Sequence, residues 1–405
     1  VNPPDRIVVA AIAFMYVAIP LDGTLAVLDP LRAPFPPLIP PSGALALAAV
    51  MVAAAAICVW GAFRRPAPLR IIVAQLAAGV AIVPTALLGF DPRTGLELAL
   101  VVLAMGVAGI TLYGYASLPG VTRTIVVATL ASATAAGLAA LVMVATRVPA
   151  PLYAYNNGRA TGTFLNPNEL AAYLVVVLAL AAGVVLYARG TPQRLLAAAT
   201  LLAGGPALAA TYSRWGFFAA FAGAAFFAVL AGGRRAWIAL GVAGLAALLL
   251  VAGPGRAFHD PRDDTSRVVA WETGVRTWLA FPLGGVGPLA FRRTYDVLRP
   301  PDAPGGEAPV AFDPHSLPLT YLGEAGLIGL AAPLVAWSIY IREIRRVLGS
   351  AGPRRRALVY ALAGGLVALN VHALVNTISI YVALGTQGVA LALALAQRDL
   401  DAPAA

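Results

Sequence analysis

Runs of about 20 apolar residues recur along almost the whole chain and leave it few ways to fold. They lie near 7–28, 43–63, 70–90, 96–116, 124–146, 168–188, 194–212, 214–232, 235–253, 317–341, 357–377 and 378–397. A helix needs about 20 such residues to cross a bilayer. The 405-residue chain is 60% hydrophobic and 11% charged, with a mean hydropathy of +0.83, a composition foreign to soluble globular domains. The expected fold is an all-α polytopic membrane protein of about 12 transmembrane helices. Residues 1–253 hold helices one to nine, 254–316 form one large loop, and 317–405 hold the last three helices and a short tail. The first run is short in its purely apolar part, Ile7 to Pro20, and Asp22 and Gly23 interrupt it. It follows Arg6 as a signal peptide would, but no small-residue cleavage site is evident, so it reads as an uncleaved first span.

The net charge of +10 comes from arginine alone, because the chain has no lysine. Its distribution argues against nucleic acid. With the N-terminus inside, the even-numbered loops carry Arg64, Arg65, Arg70, Arg123, Arg189, Arg194, Arg234, Arg235, Arg342, Arg345, Arg346, Arg354, Arg355 and Arg356. The short odd-numbered loops carry only Arg32, Arg93, Arg147, Arg159 and Arg214. That asymmetry is the positive-inside bias. It predicts both termini on the cytoplasmic side and the loop 254–316 outside. The loop is nearly neutral, so it is neither an acidic tail nor a basic arm. The proline-rich run 34–41 reads as a stiff extended connector. Cys58, the single cysteine, lies within the second span, so no disulfide can form within the chain.

Ionisable residues within spans are costly and default to functional candidates. Here they gather toward one end. Glu169 and Arg214 open the sixth and eighth spans, and Glu324 lies ~12 Å below the outer end of the tenth. His372 and Asn376 sit one turn apart near the outer end of the eleventh. A transporter would want polar groups at the midplane; chemistry at the outer leaflet wants them here.

Four stretches could carry that chemistry. The loop from Tyr153 to Glu169 is short and rich in Gly and Asn, suited to presenting Arg159 and backbone N–H groups to an anion. Within it Asn166 and Asn168 are either part of a site or simply a turn and cap, Asn168 being a good N-cap for the sixth span. Arg214 starts a helix, where a cation is unfavourable; a bound phosphate would compensate, or the side chain snorkels to headgroups beside Trp215. In the large loop, Asp263, Asp264 or Thr265 precedes an amphipathic pattern with Val268, Trp271, Val275, Trp278 and Leu279 on one face. Its tryptophans read as interfacial anchors, whereas Arg267 is open to either reading. The Gly-rich turn that follows, 281–287, lacks the strand and helix context of a nucleotide loop.

Of three histidines, His315 precedes the tenth span and is the natural general base, titrating near neutrality when unperturbed; a capping role is the alternative. His259 reads as solvated, and His372 as bonded to Asn376 or Asn370. Scattered histidines without a carboxylate cluster predict no metal site, and no cofactor is expected.

Four motifs in order complete the pattern: GRATGTFLNPN over 158–168, Ser213-Arg214-Trp215-Gly216, Arg267 and Trp271 followed by FPLGGVGP over 281–288, and PHS-L over 314–317 running on to YLGEAGLIG over 321–329. Together they resemble the O-antigen ligase superfamily, which includes lipopolysaccharide O-antigen ligases, O-antigen polymerases and O-linked oligosaccharyltransferases. The resemblance covers about 150–332. It implies a GT-C-type glycosyltransferase that moves a glycan from undecaprenyl diphosphate to an acceptor hydroxyl, inverting and metal-independent. It implies His315 as the catalytic residue and Arg214, Arg159 and Arg267 as diphosphate ligands, with Asn166, Asn168, Glu324 and Ser316 in support. The implied partners are the lipid-linked donor, lipid A-core or another glycan acceptor, and membrane lipids. One dominant outer loop leans toward ligase; a polymerase of the same superfamily is the alternative, and a lipid-linked oligosaccharide transporter or binding protein is the alternative of another class. A chain ending soon after its last span leans away from the protein-acceptor branch.

Overall fold

The computed structural model describes residues 2–21, 41–252, 261–301, 313–376, 380–398 and 400. The proline-rich run from Pro34 to Pro40 and His259 lie outside the described residues, as do the end of the first predicted span and parts of the large loop. The described residues form fifteen α-helices and one 3-10 turn, Ile19–Leu21, with no strand among them.

A helix stands at every predicted apolar run. In order these are α1 (Pro3–Val17), α2 (Pro41–Arg64), α3 (Leu69–Leu88), α4 (Pro92–Tyr115), α5 (Val121–Thr146), the short α6 (Ala150–Tyr155), α7 (Pro167–Tyr187), α8 (Thr191–Ala210), α9 (Arg214–Ala231) and α10 (Gly233–Ala252). The large loop contributes α11 (Pro261–Ala280) and α12 (Phe291–Leu298), and α13 (Leu317–Leu348), α14 (Pro353–Ala373) and α15 (Ile380–Gln397) follow. Eight of them, α2, α3, α4, α5, α7, α9, α13 and α14, are long and apolar enough to cross a membrane. Large apolar side chains such as Phe63, Leu69, Leu88 and Leu202 face outward. Outward-facing hydrocarbon on helices that also bury hydrocarbon is what a lipid surround requires. The chain is therefore a polytopic membrane protein.

The core centres on α7, which is buried along most of its length from Leu170 to Val184. Small residues let its neighbours approach closely, as in membrane helix pairs generally. At Gly223 of α9 and Gly364 of α14 each backbone occupies the space a Cβ on the other would need, and Gly365 lies against the Val176 carbonyl of α7.

The helix ends sort into two sets. The arginine-rich end is held by buried carboxylates: Asp5 meets Arg65 at 3.0 Å and the Tyr115 hydroxyl at 3.2 Å, and Glu343 accepts from Arg70 Nε at 2.7 Å and Tyr113 at 3.0 Å. The opposite end gathers the starts of α7, α9 and α13, the ends of α8 and α14, and the helices of the large loop.

At that end α13 breaks. Gly326 takes φ 62° and ψ −156°, a conformation that essentially only glycine adopts. The segment 281–290 docks into the break. Leu327 N–H donates to the Pro282 carbonyl at 2.9 Å and Ile328 N–H to that of Leu283 at 3.3 Å, while Val286 and Gly287 donate to the carbonyls of Gly323 and Glu324 at 3.0 and 2.9 Å. The FPLGGVGP motif is thus a backbone plug. Val286 also accepts from Phe90 N–H at 2.8 Å, which ties the plug to the turn between α3 and α4.

Candidate functional site

The loop before α7 folds by local hydrogen bonding. Asn156 donates from its side chain to the Leu152 and Leu165 carbonyls, drawing the loop's ends together. Asn166, not Asn168, is the cap of α7: its side chain accepts from Asn168 N–H at 2.7 Å, and Glu169 reaches back to Asn166 N–H at 3.3 Å. This capping box, with Pro167 in the first turn, corrects the expectation that Asn168 caps. It matters because it leaves the Asn168 side chain for another task.

Asn168 Oδ1 accepts from Arg159 Nη2 at 3.3 Å and from the Ser213 hydroxyl at 2.9 Å. Arg159 Nε also donates to the Thr211 carbonyl at 2.7 Å. Ser213 caps α9 by accepting from Gly216 N–H at 3.3 Å, which fixes the helix start at which Arg214 stands. The Ser213 hydroxyl lies 3.3 Å from His372 Nε2, on α14. Of the two partners expected for His372, Asn376 donates to its backbone carbonyl at 3.4 Å, whereas Asn370 donates to the Leu366 carbonyl. Ser213 is 3% exposed and His372 0%, so their contact is sealed inside the protein, whereas Asn168, Arg159 and Arg214 are half-buried at its edge.

On helix α11, Arg267 stands one turn before Trp271. The helix packs on α13 through Ala270, Thr273, Gly274 and Thr277, its threonines satisfied by the carbonyls one turn earlier. A Cβ on Gly274 would press on Pro314 and Leu319, so the glycine sets how closely α11 approaches the start of α13. Of the predicted apolar face, Val268, Val275 and Leu279 are exposed, as befits a helix lying on a membrane surface, whereas Trp271 and Trp278 are half-buried.

His315 stands at the start of α13, one turn of α11 from Arg267: Trp271 Nε1–H donates to the His315 carbonyl at 3.4 Å. The residue adopts φ 50°, rare outside glycine and asparagine. Asp313 supports this, accepting from His315 N–H at 2.6 Å and placing the same oxygen 3.6 Å from ring Nδ1. The side chain remains 42% exposed. Ser316 is buried, and its backbone carbonyl accepts from Thr320 N–H and hydroxyl, so it starts the helix.

Glu324 differs from the arginine group in its connections. Its two oxygens accept from Leu289 N–H at 2.9 Å and Phe291 N–H at 3.4 Å. A carboxylate at the first turn of α12 suits the helix dipole, and it locks the plug of 281–290 onto α13.

An apolar cavity of about 220 Å³ runs between α3, α13, α14 and α15. Leu317 and Pro318 begin it, immediately after His315 and Ser316, and Leu374 of the chain past α14 joins them. Tyr340 and Gln75 lie toward its other extreme, near the arginine-rich end. Among the described residues no group of three His, Cys, Asp or Glu side chains stands close enough to hold a metal ion.

Ser213, beside Arg214, is the residue at which these contacts meet. A serine just before a helix is a recognisable cap; its link to a histidine on a distant helix has no local signal.

Residues 199–334 match the family model described as Wzy_C, O-Antigen ligase. Arg214, Arg267, His315, Ser316 and Glu324 fall inside the match; Arg159, Asn166, Asn168 and His372 fall outside it. No curated protein matches the chain.

Proposed function

We propose, from the premise that the chain is a member of the O-antigen ligase superfamily, that it transfers a glycan from undecaprenyl diphosphate to an acceptor hydroxyl at the periplasmic face of the inner membrane. The acceptor best suited to the family is lipid A-core. The observation that carries this reading is that Arg159 is bonded into the Asn168–Ser213–His372 contacts and Arg214 directly follows Ser213, at the end where the apolar cavity begins, with Arg267 one turn of α11 before the Trp271 that holds the His315 carbonyl. Cationic donors beside an apolar channel suit a ligand that is a diphosphate at one end and a hydrocarbon at the other.

In this reading the arginines receive the diphosphate and the cavity receives the first part of the polyprenyl tail. His315 takes the proton of the acceptor hydroxyl as its oxygen attacks the anomeric carbon. The bond from that carbon to the phosphate oxygen breaks, and the electron pair leaves on undecaprenyl diphosphate. Guanidinium groups offset the charge that develops on the leaving oxygen. Attack from the face opposite the leaving group inverts the anomeric centre. Asp313 holds the His315 backbone through its N–H, with the same oxygen 3.6 Å from ring Nδ1.

The test is turnover by purified protein in lipid, given an undecaprenyl-diphosphate oligosaccharide and candidate acceptors. The expected result is acceptor glycosylation with release of undecaprenyl diphosphate, lost in folded His315→Ala and Arg214→Ala variants. A product extended on the carrier lipid would make the protein a polymerase. Saturable donor binding with no turnover on any acceptor would refute catalysis and favour a transporter or binding protein.

A further inference from the structure

The hydrogen bonds around Ser213 can be assigned a direction, one after another. Arg159 has only donors, so the atom of Asn168 that faces it at 3.3 Å must be the amide oxygen. That same oxygen lies 2.9 Å from Ser213 Oγ, and a carbonyl oxygen only accepts, so the serine proton is used there. Ser213 Oγ then has two lone pairs left. Gly216 N–H occupies one at 3.3 Å. The other faces His372 Nε2 at 3.3 Å, and a hydroxyl that has already spent its proton can only accept from it. The contact is a hydrogen bond only if the proton of His372 sits on Nε2.

Three helices and a loop thus meet at one oxygen whose bonding capacity is full. The consequence reaches the surface at both ends, because Ser213 precedes Arg214 in the chain and Asn168 holds Arg159. A buried group whose partner is removed loses its hydrogen bond and keeps its desolvation cost, so the network has one low-energy arrangement.

We infer that His372 is a positioning residue: it donates an Nε2–H hydrogen bond to Ser213, and through Ser213 and Asn168 it sets the placement of Arg214 and Arg159 for a diphosphate. The inference rests on the diphosphate reading above. His372 touches neither donor nor acceptor. Its contribution is to remove the freedom of the α9 start and of the loop before α7 before the ligand arrives, which is preorganisation.

The experiment uses the full chain in nanodiscs, with ¹⁵N-labelled histidine and a synthetic polyprenyl diphosphate as the probe. The chain has three histidines, so single substitutions assign every ring signal. The expected spectrum shows His372 protonated at Nε2, with that signal moved in Ser213→Ala. Probe affinity is expected to fall about tenfold in both Ser213→Ala and His372→Leu. It should stay close to wild type in His372→Gln, whose amide N–H can donate to the same oxygen. The double variant should bind about as weakly as either single variant, because both remove one interaction. A merely structural histidine would lower the melting temperature without this rescue and without this coupling. If His372→Leu does not fold, Ser213→Ala and His372→Gln carry the test. A bare Nε2 in a wild type that binds the probe overturns the inference and leaves the diphosphate reading standing; so does His372→Gln binding as weakly as a folded His372→Leu. A wild type that binds no polyprenyl diphosphate overturns the diphosphate reading and the positioning role with it.

Discussion

Replacing Gly326 by alanine should release the 281–290 plug without disturbing the rest of the bundle. Two costs arise at once. The backbone there, at φ 62° and ψ −156°, is strained for any residue with a side chain, by roughly 1–3 kcal/mol. An alanine Cβ would also lie closer than 3.0 Å to the Leu283 carbonyl, a contact that real Cβ atoms essentially never show. The obstacle is backbone, so no rotamer change relieves it. Either Gly326 or the plug must shift, and the bonds from Leu327 to Pro282 and from Ile328 to Leu283 are the first to go. At about 1 kcal/mol net for each bond, the local penalty comes to about 3–5 kcal/mol. That is enough to open the plug while helices far from it hold. Hydrogen exchange in nanodiscs is the assay. Amides of 285–299 should exchange at least a hundredfold faster in Gly326→Ala, an increase that about 2.7 kcal/mol of local opening would give, while α7 keeps its protection. Gly285→Ala should behave likewise, since a Cβ there would meet the Glu324 backbone at φ 66°. Wild-type protection of 285–299 in both variants would refute the view that the plug is held by these close approaches.

Three further outcomes follow from the same contacts. Asn168→Ala takes the shared acceptor from Arg159 and Ser213, and should weaken polyprenyl diphosphate binding about tenfold, whereas Asn168→Asp should retain more of it; both are read by titration in nanodiscs. Glu324→Ala leaves the Leu289 and Phe291 N–H groups without their acceptor, a loss of roughly 2–4 kcal/mol that proteolysis or exchange at α12 should report, with Glu324→Gln intermediate. Gln75 is 2% exposed and neither atom of its amide has a protein partner, so Gln75→Met should leave the melting temperature unchanged or raise it.

The helices were legible because their signal is length and hydropathy, and neither depends on what packs where. The sequence also placed Arg159, Asn168 and Arg214 in short loops at helix starts, and the structure brings these three together. Three features were not legible, each for a physical reason. The break at Gly326 lies within a run, Tyr321 to Gly329, whose glycines read equally well as close-packing positions; only the docked carbonyls of Pro282 and Leu283 make one of them a break. Asn166 and Asn168 are both good caps by type, and the choice was made by Glu169 reaching back to Asn166. Glu324 reads as a site carboxylate because ionisable groups in spans usually are, and nothing local announces that its oxygens also accept from the Leu289 and Phe291 N–H groups, more than thirty residues away in sequence. In each case the deciding partner is remote or backbone, and neither carries a residue-type signal.

The diphosphate of a lipid-linked donor should bind at the end of the bundle that carries Arg159, Arg214 and Arg267, opposite the end held by Asp5 and Glu343. A structure determined with a polyprenyl diphosphate bound tests it most directly. The diphosphate should lie within hydrogen-bonding reach of Arg159 and Arg214 and near His315, with the tail entering the cavity at Leu317 and Leu374. Diphosphate density among the arginines of the opposite end, around Arg70 and Arg346, would contradict it.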